Sequence, residues 1–186
     1  MVAVTEAVCI ASGPSLTNAD CDAVRAWRDS RSDRFVVVTN NTHTLCPWAD
    51  YLYAMDNEWW RQHGKEVRAT FTGNTYSRYG NYGTQKIPVH HGDNSGAGAI
   101  LLAHYSGAKK IVLLGYDCQR TGGKSHWHKD HIKPLGNTQS MPHWHKYFKE
   151  CRRSIPDSVE IINCTRETAL TAFPLKGLED ELYPTV

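Results

Sequence analysis

Apolar residues come in short runs, each ending in a cluster of small polar residues and followed by a stretch with helical spacing. The first run, Ala7 to Ile10, stops at Ala11-Ser12-Gly13-Pro14-Ser15-Leu16. A short apolar run broken by Gly-Pro predicts a strand, a tight turn and a helix. The helix is expected over Ala19 to Arg28, with Asn18 or Asp20 as its cap and Cys21, Val24 and Trp27 or Arg28 on one side. Phe35 to Thr39 is β-branched and predicts a buried strand ending at Asn40-Asn41. Tyr51 to Met55 predicts a third strand, closed by Asp56, with a short helix over Glu58 to His63. A short strand is expected near Arg68 to Phe71, then a Gly-, Tyr- and Asn-rich loop with Tyr76, Tyr79 and Tyr82 that reads as a lid or a plain connection.

A brief strand is expected at Ile87 to His91. Asn94-Ser95-Gly96 then opens a helix that runs to Tyr105 and closes at Gly107. Ile111 to Gly115 is the clearest central strand and delivers Asp117 to its carboxyl end. A helix from His143 to about Arg153, a strand from Val159 to Cys164 and a helix or turn over Thr165 to Ala172 complete the pattern. Regular alternation of strand and helix predicts an α/β, Rossmann-like three-layer fold with a mainly parallel sheet, residues 1–186 forming one domain.

Composition narrows the function classes. The 186 residues carry a net charge of +2, 40% are hydrophobic and 22% charged, which suits a globular chain and argues against a nucleic-acid partner. No apolar run approaches the ~20 residues of a membrane helix. No signal-peptide layout opens the chain, and the six scattered cysteines lack a CxxC, so reduced thiols in a cytoplasm are expected. A homo-oligomer is compatible with all of this.

Two glycine-bearing helix starts, Ser12 to Ser15 and Asn94 to Gly96, carry the first candidate chemistry. Unpaired N–H groups and the positive end of a helix favour a phosphate at such places. Asn40 and Asn41 lie just past a strand end, where open α/β sheets hold ligands. Ten histidines are present, and five fall between 126 and 145: His126, His128, His131, His143 and His145. With Asp117 and Asp130 they fit a metal site, acid–base catalysis by one imidazole, or packing beside Trp127 and Trp144.

In order, the Gly-Pro-Ser-Leu turn, Asn40-Asn41, Tyr-Leu-Tyr-Ala-Met-Asp at 51–56, Asn94-Ser95-Gly96, Gly-Ala-Lys-Lys-Ile-Val-Leu-Leu-Gly-Tyr-Asp at 107–117 and Ile-Asn-Cys-Thr-Arg-Glu-Thr-Ala at 162–169 form a recognisable series. The series resembles the bacterial sialyltransferase fold and the related archaeal-type 6-hydroxymethylpterin diphosphokinases, over about residues 10–170, in a small phage or bacterial form. The resemblance implies a nucleotide over Ser12, Gly13, Pro14, Ser15, Asn40 or Asn41, and Ser95 with Gly96. From the sialyltransferases it implies a nucleotide-sugar donor, a small-molecule or glycan acceptor, and a general base at His143, with His145 beside it. From the diphosphokinases it implies ATP with a divalent ion, Mg or Mn, near Asp56 and Asp117; His131 is a further candidate ligand. Catalysis is therefore expected from His143, His145, His126 or His128, with Asp117. The turn departs from the family in having Ala11-Ser12-Gly13 in place of a further Gly or Asn. A nucleotide-dependent transferase, with glycosyl transfer ahead of diphosphoryl transfer, is the leading expectation. A His/Asp hydrolase of a nucleotide and a non-catalytic nucleotide-sequestering protein are the alternatives.

Overall fold

The computed structural model describes residues 5–87, 93–131, 133, 135–136 and 138–183. Six strands form one sheet: β1 Glu6–Ile10, β2 Arg34–Thr39, β3 Tyr51–Tyr53, β4 Asn74–Tyr76, β5 Lys110–Leu114 and β6 Glu160–Asn163. Their order is β4-β3-β2-β1-β5-β6, and every pairing is parallel. From β1 the chain works outward through β2 and β3 to β4, then returns to place β5 on the other side of β1. Consecutive crossovers thus leave β1 in opposite directions, and the carboxyl ends of β1 and β5 flank a crevice of the kind in which open α/β sheets bind ligands.

Side-chain alternation along the strands builds two cores. Ala7 and Cys9 of β1 face one side with Ile111 and Leu113 of β5, under helices α3 (Ser95–Tyr105) and α4 (Met141–Ser154). Val8 and Ile10 face the other with Val36, Val38, Val112 and Leu114, under α1 (Asn18–Asp29) and α2 (Asn57–Thr70). A period of two sends successive residues to opposite faces, so a strand apolar at every position must be covered on both. The result is the expected three-layer α/β fold. A short α5 (Leu178–Leu182) follows β6.

Local details differ from the sequence reading. The cap of α1 is Thr17, whose hydroxyl accepts from the Asp20 N–H while the Asp20 carboxylate accepts from the Thr17 N–H. Helix α2 runs on through Arg68, where a strand is expected, because Trp60 and Val67 keep one buried face at helical spacing. The strand itself comes later, at β4. Thr165 to Ala172 forms bends and no helix; its polar groups are spent across the sheet, Thr165 accepting from the Tyr116 N–H and Thr168 donating to the Tyr116 carbonyl. Residues 88–91 of the strand expected at Ile87 to His91 lie outside the described residues.

Helix α3 is apolar on nearly every side and lies against β1, β2, β3, β5 and α4. It can sit so close because Gly98 has no side chain: a Cβ there would stand 2.1 Å from the Tyr53 ring. All six cysteines are free and buried. Among the described residues no helix is long and apolar enough to cross a membrane.

Candidate functional site

A cavity of about 480 Å³ opens at the carboxyl edge of the sheet, within the size range of small-molecule sites. Its floor is the turn after β1, with Ser12, Gly13 and Pro14, and the segment after β5, from Gly115 to Gln119. Asn40 after β2 and Asp56 after β3 extend one side, and Asn94, Ser95 and Gly96 at the start of α3 supply another. His126 and His131, from the loop after β5, and Trp144 and Phe148 of α4 close it over. The two glycine-bearing bends of the sequence therefore meet around one space.

The bends contribute differently from what a phosphate cradle requires. The Asp117 carboxylate, 1% exposed, accepts from the Ser15 N–H and hydroxyl, both at 2.9 Å, and from the Thr121 hydroxyl at 3.1 Å. The Gly13 N–H donates to the Gly115 carbonyl, and the Leu16 N–H to Gly13. The first turn after β1 is thus already occupied by a carboxylate of the chain itself, and Ser15 is not part of the cavity wall. Gly13 is required by packing: a Cβ there would fall 2.0 Å from Asp117 Oδ1 and 2.4 Å from the Gly115 carbonyl. Gly115, with φ of +72°, completes this close crossing. Asp117 is accordingly a clamp between the β1 and β5 turns, with both of its oxygens accepting hydrogen bonds from the chain. Burial pushes its carboxyl up and the Ser15 and Thr121 hydrogen bonds pull it back.

Ser12 does face the cavity, with its hydroxyl 3.0 Å from that of Thr42. Asn40 reaches it from a left-handed conformation, φ 46°, which Asn tolerates better than most residues. Asn41 does not line it; its side-chain oxygen accepts from the Trp59 indole N–H. Helix α3 is better placed for an anion. Asn94 caps it by accepting from the Ala97 N–H, the side-chain amide nitrogen of Asn94 is buried without a partner, and the positive end of the helix faces the cavity.

The histidines divide. His126 and His131 line the cavity, whereas His143 is exposed and His145 half-buried, neither on its wall. Residues 144 and 148 are four apart and share one face of α4, while 143 and 145 diverge by about 100° on either side. Of the histidines expected to act in catalysis, His126 therefore lines the cavity, and His143 and His145 do not. Trp144 and Phe148 were missed as site residues, although their spacing beside Pro142 marks the buried face of α4.

His126, His128 and His131 are in ring contact, with centroids 4.9 to 5.5 Å apart. Desolvation lowers all three, helped by the neighbouring imidazoles: His126 and His131 fall to about 4, and His128 shifts the same way. The cluster is neutral near pH 7. The Ser12 backbone beside the His126 ring opposes that lowering, and the ring's Nε2 is buried without a partner. Asp56, at the rim, is raised by desolvation and opposed by Arg78. Among the described residues no three His, Cys, Asp or Glu side chains could hold a metal ion, so Asp56, Asp117 and His131 do not come together as the expected ligand set.

Stability should follow this cluster. Below their ordinary value of 6.5, His126 and His131 bind protons in the unfolded chain before they do in the folded one. Their contribution is complete above pH 6.5 and is lost as pH falls from 6.5 to 4. Both rings are part-exposed, so the combined loss is about 2 kcal/mol after solvent screening. Urea unfolding at a series of pH values should show that decline, and it should be shallower in the His126→Asn, His131→Asn double variant.

The fold is similar to that of the MAf glycosyltransferase from Magnetospirillum magneticum AMB-1, with a TM-score of 0.66 at 12% sequence identity. The match covers 94% of this chain and 34% of the other, so the chain spans about a third of the length of that protein. At this identity the likeness is one of fold. No family model and no curated protein matches the sequence.

Proposed function

We propose that the chain transfers a glycosyl group from a nucleotide-sugar to an acceptor hydroxyl, with His126 as the general base. The observation that carries this reading is the His126 ring, which stands neutral in the cavity wall at the β1/β5 crevice, beside the Ser12 backbone, with Nε2 unpaired. The acceptor O–H gives its proton to Nε2 as its oxygen bonds to the anomeric carbon. The bond from that carbon to the donor phosphate oxygen breaks, and the nucleotide leaves with the electron pair. The start of α3 and the unpaired Asn94 amide steady the negative charge of the departing phosphate. Trp144, half-buried on the wall, offers a flat face to a sugar or base.

The charge of the cavity supports glycosyl over diphosphoryl transfer. Asp56, Glu58, Asp93 and Asp117 are on its wall and, among the described residues, no Lys or Arg is. A donor with one phosphate on a helix start suits such a wall; a triphosphate would need several cations or a gathered metal set. The fold shared with a glycosyltransferase agrees with this choice.

A thermal-shift screen with CMP, UDP, ADP and ATP tests the reading. A bound nucleotide at a hundred times its Kd should add about 2.7 kcal/mol of stability, and CMP should exceed ATP. A melting temperature unmoved by all four nucleotides ends the proposal.

A further inference from the structure

The loop over residues 119–131 has a second, outward side. Ser125, 7% exposed, belongs to the wall of the main cavity and also to that of a separate recess of about 320 Å³. The recess is built by Arg120, Lys124, Trp127, His128, Lys129 and Asp130. Its shape comes from a tight turn in which Thr121 and Lys124 pair and Gly122 and Gly123 both take positive φ, 57° and 76°. Turns of that kind need glycine-like conformations at both central positions. The turn folds Arg120 and Lys124 back onto one space.

The two spaces have opposite charge. The main cavity has carboxylates and neither Lys nor Arg among its described lining residues, while the recess has three cations against one carboxylate. Among the described residues none of Arg120, Lys124 and Lys129 is in an ion pair, although acidic groups elsewhere pair freely with arginine. His128 bonds the Lys129 carbonyl through Nδ1 at 2.6 Å, which leaves its Nε2 buried without a partner. Trp127, held by a hydrogen bond to Thr42, gives the recess a flat side. Three unpaired cations around a small concavity are a site for an oxyanion, and a net charge of +2 matches a phosphate monoester, which carries about −1.5 to −2 near neutrality.

We propose that the recess formed by Arg120, Lys124 and Lys129 binds a phosphate ester and seats the anionic group of the acceptor, one residue-wall away from the transfer cavity. The phosphate-binding part stands on the recess itself; the acceptor role rests on the glycosyl-transfer reading. The cationic recess draws the phosphate of the acceptor to its own side of Ser125. The neutral imidazoles of His126, His128 and His131 occupy the partition between them.

Titration of the full chain with inorganic phosphate by calorimetry at constant ionic strength tests the site. Lys124→Glu, which reverses a charge, should weaken binding by about tenfold or more, and Arg120→Gln, which removes one, should weaken it severalfold. Lys109→Glu, exposed at the amino end of β5 on the opposite edge of the sheet, makes the same change in net charge as Lys124→Glu and should leave the affinity within about twofold. Equal weakening by Lys124→Glu and Lys109→Glu, no weakening by either, or no binding to the unmodified chain would each overturn the proposal. CMP-induced thermal shifts, taken on the same variants, report on the transfer cavity separately: phosphate binding without a CMP shift keeps the recess and removes the transferase reading.

Discussion

Replacing His126 by Ala should lower glycosyl transfer by about 10²- to 10⁴-fold, the range expected when a positioned base is removed. Donor affinity should change little, because the proposed seat of the donor phosphate is the start of α3 and not His126. His126 is a cavity imidazole beside the Ser12 backbone, and its Nε2 is buried and unpaired. Its proton affinity is low, about 4, so the rate should be flat from pH 5 to 8 as far as this group is concerned and should drop only as pH approaches 4. His143→Ala should retain nearly full turnover, since that ring is exposed and off the wall. Single-turnover measurements on the two variants at saturating donor decide the matter. An inactive His143→Ala beside an active His126→Ala would move the base to α4 and remove the mechanism.

Asp117→Ala should destabilise the fold by about 3 kcal/mol, the lower part of the range for breaking a buried charged network. The carboxylate holds the Ser15 N–H, the Ser15 hydroxyl and the Thr121 hydroxyl, joining the β1 turn to the loop that carries His126. The melting temperature should fall by about 10 °C for a chain of this size. Nucleotide shifts should weaken along with it as Gly13 and Ser12 lose their backing. Asp117→Asn keeps an acceptor oxygen and should lose about half as much. Heat denaturation followed by circular dichroism measures both. A normal melting temperature with abolished turnover in Asp117→Asn would show that this carboxylate acts on substrate and does not clamp the turns.

The site was partly legible before folding. Ser12, Gly13, Asn94, Ser95 and Gly96 stand out as breaks between an apolar run and a helix, and in a parallel sheet such breaks collect at one edge. Asp117 was legible as a residue at that edge, but its task was not, because the Ser15 donors that consume it lie 102 positions away. The imidazole cluster was visible as composition. Which ring faces the cavity depended on the rotation of α4 and the path of the loop, neither of which has a local signature.

Alternation of apolar runs with helical spacing is a local property, and it was enough to determine the parallel sheet, its two covered faces and the edge at which chemistry can occur. The α1 cap, the extent of α2 and the place of β4 were decided by competition among neighbouring hydrogen bonds and buried faces. Only the tertiary structure brought the β1 and β5 turns together through Asp117, turned Trp144 in place of His143 toward the cavity, and separated acidic from basic side chains across Ser125. Those choices follow from contacts between residues distant in sequence, whose energies no single segment contains.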